Sequence, residues 1–267
     1  MKLNIVPAKM GLQWVKLGIK TFFKQPLALA GLFFMFMAVM SVLSMLPILG
    51  NLLALALLPA ATLGLMAATH EATKGKFPMP SILITAFRAG QHQIKAMLVL
   101  GAVYAVGFLL VMGASALADG GKFAQLYLVG GSLSREVMTQ GDFQGAMWVG
   151  MLLYLPLSML FWHAPALVHW HGVSPMKSLF FSFMACVKNF GAYAVFGLAW
   201  MGVFLVMGTA ITTLAALIGG PNAAGVAMFP TALLLAAMFF TSIYFTFQST
   251  FDSTDQPGLK APTGDAA

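Results

Sequence analysis

Six stretches of the chain, at about 27–46, 48–69, 96–118, 145–168, 190–217 and 226–248, run apolar without a single Lys, Arg, Asp or Glu. Each reaches the roughly 20 residues with which an α-helix crosses a hydrocarbon core about 30 Å thick. The runs are continuously apolar, whereas the strands of a membrane barrel alternate apolar and polar positions over about 10 residues. In hydrocarbon only a helix or a closed barrel satisfies its own backbone. The pattern therefore predicts an all-α polytopic membrane protein with six transmembrane helices.

The segments between the runs carry a second pattern. Before the first, "KMGLQWVKLGIKTFFK" sets Lys9, Gln13, Lys16, Lys20 and Lys24 within about 80° of helix circumference, with Leu12, Val15, Ile19 and Phe22 on another stripe. Before the third, "PSILITAFRAGQHQIK" spaces Ser81, Thr85, Arg88, His92 and Lys95 by 4, 3, 4 and 3. Before the fifth, "SPMKSLFFSFMACVKNF" sets Ser174, Ser178, Ser182, Ala185 and Asn189 against Leu179, Phe183 and Val187. Ser174 and Pro175 there suit an N-cap and a first helical position. All three read as amphipathic helices lying in the membrane surface.

The spans that follow also resemble one another. "GFLLVMG" at Gly107–Gly113 matches "GVFLVMG" at Gly202–Gly208, and the second span of each pair carries a proline, Pro59, Pro156 or Pro230. The chain thus reads as one transmembrane domain, residues 1–248, built of three pseudo-repeats at about 9–72, 79–171 and 174–248. Each is an interfacial helix followed by a transmembrane hairpin; a bundle without duplication is the competing reading. Residues 249–267, polar and containing Pro and Gly, read as a disordered cytoplasmic tail. The middle hairpin differs by a loop at 119–143 whose glycine pairs mark joints and whose middle reads as a short surface helix. That loop is either a partner or substrate site or a plain linker.

Composition agrees with the membrane reading: 60% of the 267 residues are hydrophobic and 8% charged, against about 25% charged in an ordinary soluble domain. The first run follows five lysines and is too long for a signal-peptide core, so it is expected to stay in the mature protein. A net charge of +7 is of the sign that nucleic acid attracts, but its distribution points elsewhere. With the N-terminus in the cytoplasm, twelve Lys and Arg fall on the cytoplasmic side and only Lys122 and Arg135 on the other, which is the positive-inside pattern. Both termini are expected to be cytoplasmic. The expected partner is therefore the bilayer's anionic headgroups, with Lys16, Lys20, Lys24, Arg88 and Lys95 as the contacting residues, and no nucleic acid.

Candidate chemistry is sparse. All five histidines fall on the cytoplasmic side, and "HAPALVHWHGVSP" gathers His163, His169 and His171 at the end of the fourth run. On a helix His163 and His169 lie about 240° apart and His169 and His171 about 200°, so no pair has the i, i+4 geometry of a helical metal site. Pro165 bends the segment and loosens that objection. Interfacial anchoring, which suits imidazole and indole, is the favoured reading; a metal or haem site and a pH-sensitive role are the alternatives. The hydroxyls Ser41, Ser44, Thr62, Ser115, Ser158, Thr209, Thr212, Thr213, Thr241, Ser242 and Thr246 serve helix contact, or else line a path for an uncharged solute. No nucleophile elbow, zinc-protease motif or phosphate loop occurs, so no catalytic residue, cofactor or metal is assigned. The twenty methionines are spread through the spans without a recognisable Met-x-x-Met cluster at the periplasmic face, and the lone Cys186 excludes an intramolecular disulfide.

The segments "GLQWVKLGIKTFFKQPLALAGLFFMFM" and "SPMKSLFFSFMACVKNFGAYAVFGL" resemble a family of proteobacterial integral inner-membrane proteins known only by a locus designation, over nearly the whole chain. More remotely, the chain is similar to the membrane portion attached to some glycerophosphodiester phosphodiesterases, without their catalytic domain. The resemblance implies a six-span inner-membrane protein and supplies no activity. The expected function is non-enzymatic organisation of envelope lipid or of a membrane protein partner. The alternative is transport of a small uncharged or amphipathic solute.

Overall fold

The computed structural model describes residues 2–46, 49–130 and 134–252. A two-residue strand β1 (Lys2–Leu3) precedes α1 (Met10–Lys24), α2 (Pro26–Ser44) and α3 (Leu49–Thr73). A 3-10 helix, Pro80–Phe87, leads to α4 (Gln91–Asp119), α5 (Lys122–Leu128), α6 (Arg135–Thr139), α7 (Gly141–Phe161), α8 (Ala164–His171) and α9 (Pro175–Lys188). The helical run from Phe190 to Thr250 is divided at Gly220, whose φ of 74° only glycine adopts readily. Its two parts are α10 (Phe190–Gly220) and α11 (Asn222–Thr250). Strand β2 (Phe251–Asp252) then pairs antiparallel with β1.

Six helices are long and apolar enough to cross a membrane: α2, α3, α4, α7 continued by α8, α10 and α11. The protein is an all-α polytopic membrane protein. Pro26 and Pro175 each open a helix, where a missing N–H leaves no bond unmade.

Two compact units divide the chain. The first gathers Met1–Ala38, Ala61–Thr85 and the chain from Met184 on; the second holds Val39–Ala60 and Ala86–Phe183. In the first, Trp14, Phe22, Phe33, Met66, Tyr244 and Phe247 are buried, and Phe33 packs against Phe240 at 5.4 Å between ring centroids. In the second, α4 and α7 run antiparallel. Tyr104 meets Phe161 edge-on at 5.0 Å, Phe108 meets Tyr154 at 6.2 Å, and Gly150 lies against Phe123 and Ser115.

The 119–143 loop contains two short helices, and its first half is not a plain linker. Both Asp119 carboxylate oxygens accept backbone N–H groups, from Gly121 at 2.8 Å and from Phe123 at 2.7 Å, which caps α5. Phe123 is then buried against Phe143 at 5.8 Å, and the Asn51 amide donates to the Leu128 carbonyl at the other end of α5.

The interfacial segments depart from expectation in three ways. The segment before α4 is not one helix: the 3-10 turn is kinked at Ile84, and Gly90 has φ 95°, so the Ser81-to-Lys95 stripe is split between two elements. α9 turns most of its expected polar stripe inward: Ser178, Ser182, Ala185 and Asn189 are buried and only Ser174 is exposed, while of the expected apolar stripe Leu179 is buried, Phe183 half-buried and Val187 exposed, so the hydroxyls of Ser178 and Ser182 face protein. The tail expected from residue 249 is ordered through Asp252; the remainder, with Lys260, lies outside the described residues.

The burial of Ser182 in α9 has a local cause. The fourth span breaks at Trp162–His163, and α8 restarts with Pro165 in its first turn. In a continuous helix the His163 N–H would donate to the Met159 carbonyl. Here the Ser182 hydroxyl stands between them: it accepts from the His163 N–H at 2.9 Å and donates to the Met159 carbonyl at 2.7 Å. A side chain inserted in the i→i−4 ladder is a recognised cause of a kink, and Ser182 is fully buried to do it. Ser182→Ala removes both hydrogen bonds of this bridge, at a cost of about 1–3 kcal/mol. The expected result is a lower thermal unfolding midpoint in detergent; an unchanged midpoint contradicts the bridge.

Candidate functional site

The basic residues singled out from the sequence are carried by both units. In the first, Lys16, Lys20 and Lys24 lie on α1, and all three are exposed. In the second, Arg88 occupies the bend between the 3-10 helix and α4, and Lys95 lies in the second turn of α4; both are exposed. Among the described residues the ion pairs join Glu71 to Lys74 at 3.6 Å and to Lys76 at 3.9 Å, so no carboxylate neutralises the three α1 lysines.

What fixes those lysines is the opposite face of α1. Gly11, Trp14, Val15, Gly18, Thr21 and Phe22, spaced by three and four, are buried. This stripe overlaps the expected apolar one at Val15 and Phe22, while Leu12 stays exposed. The contact is close because two positions lack side chains. A Cβ at Gly11 would strike the Ala192 carbonyl of α10, and one at Gly18 would strike Ser242 of α11.

Between these glycines the Trp14 indole is 0% exposed, lies tilted against Tyr193 at 5.2 Å and edge-on to Phe196 at 5.9 Å, and donates to the Ser249 hydroxyl at 2.7 Å. Burying a side chain of this kind contributes about 1.5–3 kcal/mol relative to leaving it in water. α1 is thus held by α10 and α11 on one face and presents a ridge of lysines on the other.

Asn189 secures the segment that precedes α1. Its side-chain carbonyl accepts the Val6 N–H at 2.7 Å, and its amide donates to the Asn4 carbonyl at 3.1 Å. The Asn4 N–H donates to the Thr250 carbonyl at 2.8 Å, continuing the β1–β2 ladder. The N-terminal segment and the end of α11 therefore meet. Sequence reasoning placed Asn189 on a polar stripe and missed this role. The signal available was one amide at the junction of a surface helix and a span.

The histidines do not assemble. His70 bonds the Tyr244 hydroxyl through Nδ1 at 2.7 Å, His92 is exposed on α4, and His163 is fully buried at the helix break. His169 and His171 sit half-buried in the last turn of α8. Among the described residues no three His, Cys, Asp or Glu side chains are grouped to hold a metal.

Burial pushes the Cys186 thiol up to about 12, against a smaller opposing effect of its hydrogen bond with Tyr193. It therefore stays protonated at neutral pH, and the thiolate is the reactive form. Most span hydroxyls bond carbonyls three or four residues back, as Ser115 does to Met112 and Thr241 to Ala237. Ser242 does this too and also accepts the Trp200 indole N–H at 3.1 Å.

The architecture is that of a multi-pass, all-α membrane protein with a basic helix docked on its last two spans. Over 265 residues the chain is 36% identical to a probable inner membrane protein of Burkholderia thailandensis, the match covering 98% of each chain. The chain belongs to the family of that protein and is a multi-pass inner-membrane protein. No family model matches it. No solved structure matches it at a significant level.

The docking of α1 can be tested by filling its close contact. Gly18→Leu drives a side chain into Ser242, an overpacking cost of about 1–3 kcal/mol, and should make trypsin cut after Lys16 and Lys20. Gly31→Leu, which adds its side chain where nothing lies within 4 Å, is the control and should not. Equal resistance in both variants contradicts the docked helix.

Proposed function

We propose that this protein is a non-enzymatic organiser of the inner membrane, holding anionic lipid headgroups, or the acidic surface of a membrane protein partner, against the lysine ridge of α1. The observation that carries the reading is the union of two properties in one helix. Its lysines are exposed and have no carboxylate partner among the described residues, and its other face is locked to α10 and α11 by Trp14 and the two glycines. A free amphipathic peptide loses its order when it leaves the bilayer; a docked one presents its charges preformed, which lowers the entropy cost of binding.

The charge asymmetry supports a cytoplasmic location for this ridge and for both termini. The same side is where anionic lipids attract Lys and Arg by about 1 kcal/mol each. A C-terminal reporter active only in the cytoplasm reads that orientation. The non-enzymatic reading is supported by the protonated buried thiol of Cys186 and by the use of Asp119 as a helix cap.

Replacing Lys16, Lys20 and Lys24 together by Glu should weaken retention of phosphatidylglycerol relative to phosphatidylcholine by about 3 kcal/mol or more, roughly a hundredfold. Native mass spectrometry of the protein released from mixed nanodiscs measures it. An unchanged preference rejects the ridge as the headgroup site.

Transport of a small uncharged or amphipathic solute is the second reading. It is favoured by one observation, a groove of about 320 Å³ that opens between α10 and α11. Saturable uptake into proteoliposomes supports it, and passive leak alone removes it.

A further inference from the structure

The last two spans pack through aromatic contacts at the end where the N-terminal segment meets the end of α11. There Phe196 and Trp200 each lie 5.7 Å from the Phe239 ring, and Trp200 bonds Ser242. Toward Gly220 a groove runs between the helices. No residue from Met201 to Gly220 is buried, and the groove between the helices is lined on one side by Phe204, Gly208 and Thr212 and on the other by Met228, Thr231 and Leu235.

We propose that this groove holds one acyl chain of a phospholipid from the leaflet on the Gly220 side. Length is the first argument. From Thr212 to Phe204 the groove follows eight residues of α10, about 12 Å at 1.5 Å each, close to the ~15 Å depth of one leaflet of a 30 Å core. Depth is the second. α10 has 31 residues, about 46 Å, so about five residues project at each end of a 30 Å core and Thr212 lies just inside the hydrocarbon edge. The groove thus begins near the level of the lipid ester groups and ends near the bilayer midplane.

Its chemistry follows the same gradient. The hydroxyls Thr212, Thr209 and Thr231 belong to the half nearer Gly220, and Phe204, Leu205 and Leu235 form the deep end. Each hydroxyl already donates to its own helix: Thr212 to the Gly208 carbonyl at 2.7 Å, Thr209 to Leu205 at 2.6 Å and Thr231 to Ala227 at 2.7 Å. No donor is left over for the acceptor groups of a sugar-like or amide solute, which would go unpaired in hydrocarbon. An acyl chain makes no such demand. A transmembrane helix of a second copy would need a groove along the whole span of about 30 Å, whereas this one closes at Trp200 and Phe239.

This inference uses none of the α1 lysines. The test reconstitutes the full chain in vesicles of phosphatidylethanolamine and phosphatidylglycerol that carry a trace of phosphatidylethanolamine with a diazirine near the end of one acyl chain. Adducts are mapped by peptide mass spectrometry after irradiation. Labelling of Phe204 and Leu205 should exceed several-fold that of Leu152 on α7, which at 68% exposed is as open as Leu205 at 60%. Ala232→Phe and Gly208→Leu both add bulk in the groove; Ala232 is exposed and nothing lies within 4 Å of a Cβ at Gly208. Either variant should bring the excess down to the Leu152 level. The Lys16, Lys20 and Lys24 to Glu variant should keep it, which separates this site from the headgroup ridge. Uniform labelling in the wild type, labelling unchanged by both fillings, or cross-links through these residues to a second copy of the chain would overturn the proposal.

Discussion

Hydrocarbon offers no hydrogen-bond partner, so each place where this chain interrupts a helix inside or beside the membrane must bring its own. The structure meets that demand with single side chains. Ser182 stands in the gap between Met159 and His163, Asp119 takes two amides where α4 gives way to α5, and Asn189 takes the backbone of the N-terminal segment where α9 gives way to α10. These three residues account for polar groups that would otherwise argue for a site. Their polarity is consumed by the backbone, and a buried polar group without such use would cost about as much as it now stabilises.

With the polar side chains so occupied, the charge available for binding is concentrated outside the spans. The α1 lysines are held in place by a dry, close contact rather than by salt bridges, through Gly11 and Gly18 for approach and Trp14 for area. Such a contact does not weaken with salt, whereas the attraction of the lysines for an anionic surface does. In the proposed reading, position and affinity are thereby separated: apolar packing sets where the charges sit, and the lipid composition would set how strongly they hold. The groove proposed to hold an acyl chain lies along α10 in the same unit.

The spans were legible in the sequence because a run of 20 apolar residues has one stable form in a bilayer. The expected first and third runs, about 27–46 and 96–118, fall on Pro26–Ser44 and Gln91–Asp119. What was not legible depended on partners distant along the chain. Trp14 finds Ser249, and nothing in "GLQWVK" announces it. Ser178 and Ser182 read as part of a wet face because serine is common there, and only the break at His163 shows why Ser182 is buried. The matched motifs at Gly107 and Gly202 also proved alike in sequence and unlike in setting. Gly107 is pressed by Leu157, while nothing lies within 4 Å of a Cβ at Gly202.

The central claim is that α1 belongs to the body of the protein, so that its lysine ridge is preformed rather than induced by lipid. Amide hydrogen exchange of residues 11–22, in a neutral detergent without anionic lipid, tests it most directly. The account predicts protection of these amides comparable to that of the start of α10, unchanged when phosphatidylglycerol is added. Exchange near the rate of an unfolded peptide in neutral detergent, with protection appearing only on addition of anionic lipid, would contradict it.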